Sequence, residues 1–460
     1  MLVELTKSHF GSLSENIPEV KLHNLYIVQN PLSITGFSYI SRPTLLGFST
    51  PSLDNNVRGV YHQQGFFDDG LIVVSGESVY SVNDAGAATF VGSVQGLGLC
   101  KFASTIYGIA IISGDFFYIY DETGIHLIEI PDNELPSDVT SLNNYFIFSI
   151  RGSNKFFWIL PGEITVDPLS FASAESNPDF IVSVQATSDE LWIMGTRTTE
   201  VWTPTADVDA PFVRISGRVF NYGTLTEDSV VSGVFNSLPC LLWVTDTKEV
   251  ILAQGSTNKI SNEYVEEMLR ASSYFYGWFL RRQRNDFYIL STDVITLVYD
   301  LTTDSWYKWS SAGQGNWKVS AGVRKGDNIF SVGLGTSPSI YKLVDGSKDE
   351  GQDWLVCEVS GFVQHANRRP MPCTTIQVVS SPGFSSQYGQ EPTVEMRWSD
   401  DQGANWSSYV PASMGNRGST GLEIYFRSLG LIKTPGRRFE FRFSLSEVFR
   451  MDYVILNNEA

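Results

Sequence analysis

Residues 285–310 read NDFYILSTDVITLVYDLTTDSWYKWS, and this stretch decides the fold. Phe287-Tyr288-Ile289-Leu290 is a compact apolar run, and Ser291-Thr292-Asp293 is a turn. Residues 295–299 are a second β-branched and aromatic run, closed by Asp300-Leu301-Thr302-Thr303-Asp304. Trp306-Tyr307-Lys308-Trp309 begins a third, with Trp306 and Trp309 on opposite faces because side chains alternate along a strand. Residues 274–280 supply a strand before these, which makes four. Short Val-, Ile-, Tyr-, Phe- and Trp-rich runs cut by Asp, Ser, Thr and Gly predict an antiparallel meander.

The rest of the chain repeats this pattern. Strands are predicted at 57–61, 71–75, 78–82 and 88–93, then at 99–103, 107–112, 116–120 and 125–130. A third copy has 145–150 and 155–160, with a long excursion to 178. A fourth spans 180–215, a fifth 229–254 and a weaker seventh 318–343; the quoted stretch is the sixth. The spacing of about 35–50 residues is the period of a β-propeller, whose blades cannot bury both faces alone. The expected fold is all-β: a propeller of six or seven blades over residues 57–345, an irregular N-terminal arm over 1–56, and a β-sandwich-like domain over 352–460. A strand from the arm is available to complete the last blade. A pair of two-sheet sandwiches is the competing fold. One helix is predicted at 261–270, capped by Ser261, with Tyr264, Val265, Met268 and Leu269 on one face.

Composition fits an all-β chain, with 13% aromatic, 42% hydrophobic and 18% charged residues. The net charge of −18 is uneven. Residues 1–350 hold 22 Lys and Arg against 39 Asp and Glu; residues 351–460 hold 10 against 11. An acidic repeat region is unsuited to binding nucleic acid by phosphate neutralisation. It suits a wall past which DNA moves without sticking. The four cysteines form no C-x-x-C pair, and the histidines are scattered, so neither a metal site nor any other cofactor site is expected. Cys357 and Cys373 are placed to meet across strands, but buried thiols are the preferred reading. No apolar run approaches the roughly 20 residues a membrane helix needs, and residues 1–20 lack the pattern of a signal peptide.

Two groups of residues stand out as candidate sites. Ser399-Asp400-Asp401-Gln402-Gly403-Ala404-Asn405-Trp406 resembles an Asp-box, a hairpin turn in which Ser399, Asp401, Gly403 and Trp406 have structural roles. Arg281, Arg282 and Arg284 form the densest basic cluster of the acidic region and are candidate partner contacts. The adjacent acids Asp68-Asp69, Glu266-Glu267 and Asp400-Asp401 point apart and make no acid/base dyads. No nucleophile triad, phosphate loop or H-E-x-x-H motif is present, so no catalytic residue is assigned.

Several stretches together resemble the packaged-DNA stabilisation proteins of short-tailed phages. They are Asn24-Leu25-Tyr26, Arg42-Pro43, Val57-Arg58-Gly59, Glu175-Ser176-Asn177-Pro178-Asp179, Thr199-Glu200-Val201-Trp202, and residues 397–407 with 439–444 after them. The resemblance implies a non-enzymatic hub or nozzle of the virion tail. Six copies would form a ring below the portal and its adaptor, let DNA pass without sequence-specific binding, and support the tailspike or fibre and the tail needle. The alternative is an Asp-box glycoside hydrolase of the sialidase type, which requires an arginine cluster and a Tyr/Glu pair on the propeller axis.

Overall fold

The computed structural model describes residues 1–11, 19–50, 56–174, 179–335, 338–346, 348–349, 353–365, 369–380, 392–415, 423–444 and 449–457. Seven four-stranded antiparallel units follow one another. Blades 1 to 6 span residues 57–93, 100–128, 136–173, 181–220, 231–259 and 275–309. Blade 7 has three strands at Ala321–Lys325, Asn328–Val332 and Ile340–Val344. Its fourth, outermost strand is Thr44–Ser49 from the N-terminal arm, with Thr44 opposite Val344 and Leu45 opposite Leu343.

The alternation of side chains explains why these units close on themselves. Each blade buries one set of residues against the blade before it and the other set against the blade after it. In blade 3, Phe146 and Phe148 face blade 2, while Ile147 between them faces blade 4. In blade 6, Trp306 packs toward blade 5 and donates its Nε1–H to the Ile260 carbonyl (2.8 Å), whereas Trp309 packs toward blade 7. Seven apolar clusters among the described residues fill the seven gaps, and the one holding Val57, Val73, Phe330 and Ile340 joins blade 7 to blade 1. The protein is therefore a seven-bladed β-propeller.

Glycines make room for side chains where inner strands of neighbouring blades meet. A Cβ at Gly59 would lie 2.4 Å from the Phe102 ring, one at Gly233 2.6 Å from Phe279, and one at Gly322 2.3 Å from Trp278. The glycine in each case receives an aromatic side chain from a neighbouring blade's inner strand.

The arm, expected to be irregular, contributes five strands among the described residues. Glu4–Leu5 and Leu22–His23 pair with Val356–Gln364; Leu25–Gln29 and Phe37–Ser41 form a hairpin; Thr44–Ser49 completes blade 7. Outside the hairpin, the partners lie hundreds of residues away, and the burial of several strands on both faces hides the alternation that marks a half-buried strand. Leu22–His23 also bonds, in parallel, to the outer strand of blade 6 through His23 and Lys308. One sheet thus runs from blade 6 through the arm into Val356–Gln364, Gly436–Ser444, Thr393–Ser399 and Val410–Ser413. A second sheet, Leu25–Gln29, Phe37–Ser41, Arg450–Leu456, Thr375–Ser380 and Ile424–Arg427, packs on it to make the sandwich. The sandwich and the gap between blades 6 and 7 share one apolar core.

The helix is Glu263–Arg270, and its cap is Asn262, not Ser261. Asn262 Oδ1 accepts the Val265 N–H (3.0 Å), while Ser261 Oγ donates to Glu266 Oε1 (3.1 Å). Tyr264, Val265, Met268 and Leu269 insert between blades 5 and 6. Cys100, Cys240, Cys357 and Cys373 are buried free thiols.

Candidate functional site: the propeller axis and the interaction surfaces

The inner strands of the blades bring several charged side chains together near the propeller axis. Lys101, on the inner strand of blade 2, forms an ion pair with Asp228, which leads into blade 5. Burial disfavours the Lys101 ammonium, but Asp228, Asp138 and Glu227 outweigh it and hold the group above its ordinary value. Asp138, on blade 3, is 2% exposed; it accepts hydrogen bonds from Ser183 Oγ (2.5 Å), the Val184 N–H (3.2 Å) and Gln185 Nε2 (3.2 Å). Burial pushes the Asp138 and Glu227 carboxyls up. The cavity beside Lys101 measures only about 130 Å³ and is lined by Arg58, Phe102, Asp228, Tyr276 and neighbours. Arg58 is committed elsewhere, donating to the carbonyls of Gly98 and Gly76 and to Ser113 Oγ, each at 2.7 Å. The axis thus gathers one lysine against three carboxylates. Among the described residues it does not assemble the arginine cluster that a sialidase-type site requires.

The Asp-box-like turn joins Thr393–Ser399 to the edge strand Val410–Ser413 of the sandwich, away from the axis. Ser399 Oγ donates to Asp401 Oδ1 (2.7 Å) and accepts the Gly403 N–H (2.8 Å). Asp401 also accepts from the backbone (2.8 Å) and side chain (2.7 Å) of Asn405, bonds that push its carboxyl down to about 2. Gly403 has φ +107°, a conformation that favours glycine. Trp406 lies half-buried, with the Arg397 guanidinium 4.6 Å from its ring centre. Asp400 points away from Asp401 and holds Arg437 through two bonds of 2.6 and 2.8 Å.

Two of the three candidate contact arginines are already engaged within the chain. Arg281 grips Asp286 with Nε (2.6 Å) and Nη2 (3.0 Å), and Arg282 pairs with Asp345. Arg284 is exposed at the turn of blade 6. The resemblance stretch Glu175-Ser176-Asn177-Pro178 lies outside the described residues, but Asp179 after it has a clear role. Its carboxylate accepts the N–H groups of Thr196 (2.7 Å), Arg197 (2.9 Å) and Thr198 (2.8 Å), closing a turn of blade 4.

Charge is unevenly distributed around the propeller. Residues 57–230, which make blades 1 to 4, hold 7 Lys and Arg against 22 Asp and Glu; residues 231–345 hold 11 against 11. Nearly all of the net −18 therefore lies on one sector of the propeller. Among the described residues no cluster of His, Cys, Asp and Glu is arranged to hold a metal ion, and no helix is long and apolar enough to cross a membrane.

With this geometry established, the sequence matches the family described as "Bacteriophage P22 Gp10, beta-propeller", over residues 24–345. The chain belongs to the phage stabilisation family. Membership makes it a phage structural protein, and the matched segment takes in the hairpin of the sandwich as well as all seven blades. No curated protein matches the sequence significantly. Among solved structures, BamB from Moraxella catarrhalis is 7% identical, with a TM-score of 0.42, covering 75% of this chain and 97% of its own. BBS1N in complex with ARL6DN is 12% identical, with a TM-score of 0.43, covering 66% of this chain and 96% of its own. Likeness at this level carries no functional argument.

The arm junction gives a pH dependence. His9, 1% exposed, accepts the Leu22 N–H at Nδ1 (3.2 Å) and lies 3.2 Å from Tyr264 Oη through Nε2. Burial holds its pKa well below the ordinary histidine value, and Lys308, His23 and Lys21 add to this against the opposing Glu358. His23, bonded to Ser310 Oγ (2.7 Å), is lowered for the same first reason. The unfolded chain takes up a proton near pH 6.5 while the folded chain does not. The stabilisation is therefore complete above pH 6.5 and is lost as pH falls below it, by about 1 kcal/mol per pH unit for each histidine that stays neutral. Urea midpoints at pH 7.5 and 5.5 are expected to show this loss, and His9→Gln to make it shallower. An unchanged slope in the variant would exclude His9 as a source.

Proposed function

We propose that the chain is a hub or nozzle subunit of the virion tail. Six copies form a ring below the portal and adaptor, extend the DNA channel, help retain packaged DNA, and carry the tailspike or fibre and the tail needle. The observation that carries this reading is the family match over residues 24–345. Two features support it. Lys101 of blade 2 and Asp228 beside blade 5 form an ion pair near the propeller's own axis, which leaves no room there for a duplex, so on this reading DNA passes between copies and not through one. The carboxylate surplus of blades 1 to 4, turned toward a common lumen, would repel phosphates and keep DNA mobile.

The test is reconstitution. Purified protein added to a portal–adaptor complex is expected to join it as a ring with an open lumen, seen by electron microscopy. Copies that remain single and never join the complex would refute the hub reading. A ring whose lumen is lined by basic residues would remove the electrostatic part of it.

A further inference from the structure

We propose that one face of blades 2 to 4 is the docking surface for a different protein, one that presents lysines and arginines around an apolar centre. The inference stands apart from the hub reading, since it needs only one copy of this chain. In blades 1 to 6 the turns joining the first strand to the second, and the third to the fourth, open on the same face of the propeller. In blades 1 to 4 those turns are 62–70, 83–87, 105–108, 122–123, 143–144, 160–170, 188–189 and 205–211; they hold nine Asp and Glu and no Lys or Arg. The matching turns of blades 5 to 7 hold only Asp304 and Asp327, beside Arg284. Of the nine, Asp69 lies beside His62 and Asp84 pairs with Lys325; the other seven have no cationic partner among the described residues.

Apolar side chains stand among these carboxylates. Leu169 is 82% exposed, Ile106 68%, Val208 61% and Tyr107 49%, and Leu160 and Ile164 are exposed beside them in sequence. Blades 2 and 3 meet here: the Ile106 N–H donates to Asn144 Oδ1 (3.4 Å), and a Cβ at Gly162 would lie 3.6 Å from the Tyr107 ring. The turns are also fixed. Val166 packs into the gap between blades 2 and 3, and Asp167 Oδ1 accepts the Leu169 N–H (2.9 Å). In blade 4 the Thr205 N–H donates to the Pro211 carbonyl (2.8 Å) and the Asp209 N–H to Asp207 Oδ1 (3.0 Å), which holds Val208 out between two acids. Apolar groups fixed before binding lose little entropy on docking, and a patch of them rimmed by polar residues marks an interface. Charge identifies the occupant. The same carboxylates repel DNA and anionic membranes. A second copy offers no match, since residues 231–345 hold 11 Lys and Arg against 11 Asp and Glu, and residues 351–460 hold 10 against 11. A basic protein surface satisfies both features: its cations meet the seven carboxylates, and its apolar centre covers Leu169, Ile106 and Val208. Exposed acids on the opposite face, such as Glu77, Glu129 and Asp132, are left to line a lumen.

Photo-cross-linking in phage particles that contain the chain tests the docking. The photoreactive residue benzoylphenylalanine replaces Leu169, and irradiation is expected to join it to another virion protein at a peptide rich in Lys or Arg. Glu163→Gln, Asp207→Asn and Asp209→Asn together are expected to lower the amount of chain cross-linked at position 169 per particle at least fivefold. Their circular dichroism spectrum stays unchanged, because all three positions are exposed. The same neutralisation on the opposite face, Glu77→Gln with Glu129→Gln and Asp132→Asn, is expected to leave the amount as it was. Cross-links to a second copy of this chain, to nucleic acid or lipid, or to a peptide without basic residues overturn the inference. So do particles that contain the chain and give no cross-link, and so does an equal response to the two sets of substitutions. Particles in which the chain forms no ring, yet position 169 cross-links as expected, refute the hub reading and leave this inference standing.

Discussion

Replacing Asp300 with alanine is expected to lower the stability of the protein by roughly 3–5 kcal/mol. Asp300 is fully buried in blade 6. Its Oδ1 accepts the Thr302 N–H (2.9 Å), and its Oδ2 accepts from Asn285 Nδ2 (2.7 Å), Thr303 Oγ1 (2.8 Å) and Tyr307 Oη (3.0 Å). Burial raises its pKa, and those four donors oppose the rise. Removing the carboxylate leaves several buried donors short of an acceptor at once. The damage also spreads to the arm, because Asn285 Nδ2 donates to the Ile27 carbonyl (2.8 Å). Urea unfolding followed by tryptophan fluorescence measures the effect. A loss under about 1 kcal/mol would show that the network is redundant.

Arg42→Ala is expected to cost a similar amount, roughly 3–5 kcal/mol, for a different reason. The side chain is 1% exposed. Nε donates to Asn24 Oδ1 (2.9 Å), Nη1 to the Pro43 carbonyl (2.7 Å) and Nη2 to the Ser310 carbonyl (2.7 Å), and the guanidinium lies 5.1 Å from the Trp317 ring centre. One planar cation thus fastens the arm to the end of blade 6 and to the connection leading into blade 7. Arg42→Lys keeps the charge but not the fork, so it is expected to recover less than half of the loss. Thermal unfolding of the three proteins decides this. Full recovery by lysine would mean that charge, not geometry, carries the contact.

The sequence was most readable where strands pair with their immediate neighbours. The four runs at 274–309 are strands in the structure within two residues at most of their ends, because β-branched and aromatic residues alternate with Asp- and Ser-rich turns. It was least readable where the pairing is remote or the residues are polar. Ser256–Lys259, the outer strand of blade 5, has no apolar residue, and Phe171–Ser173 of blade 3 follows a long turn and spans only three residues. Both take their strand form from the neighbour they bond to. The arm strands Glu4–Leu5, Leu22–His23 and Thr44–Ser49 depend on partners that a local reading cannot see.

The candidate residues were legible in kind and less so in state. The turn chemistry of Ser399, Asp401 and Gly403 follows from their types and spacing. A basic cluster in sequence does not reveal that Asp286 and Asp345 occupy Arg281 and Arg282. The inner-strand glycines were a usable signal passed over: Val57-Arg58-Gly59, Val231-Ser232-Gly233 and Phe275-Tyr276-Gly277 place glycine third in the inner strands of three blades.

The strand Thr44–Ser49 has a consequence for how the molecule comes into being. Thr44 lies 300 residues before its partner Val344. At roughly 5–20 residues per second, the ribosome delivers that partner about 15–60 seconds later. Blades 1 to 6 emerge in order with their own partners at hand, while blade 7 has to wait for a segment made long before it. A polypeptide released between residues 333 and 339 would hold six blades, two strands of blade 7 and an unmatched arm strand, and the circle would stay open. Completion of the propeller is in this sense a check on the length of the translated product.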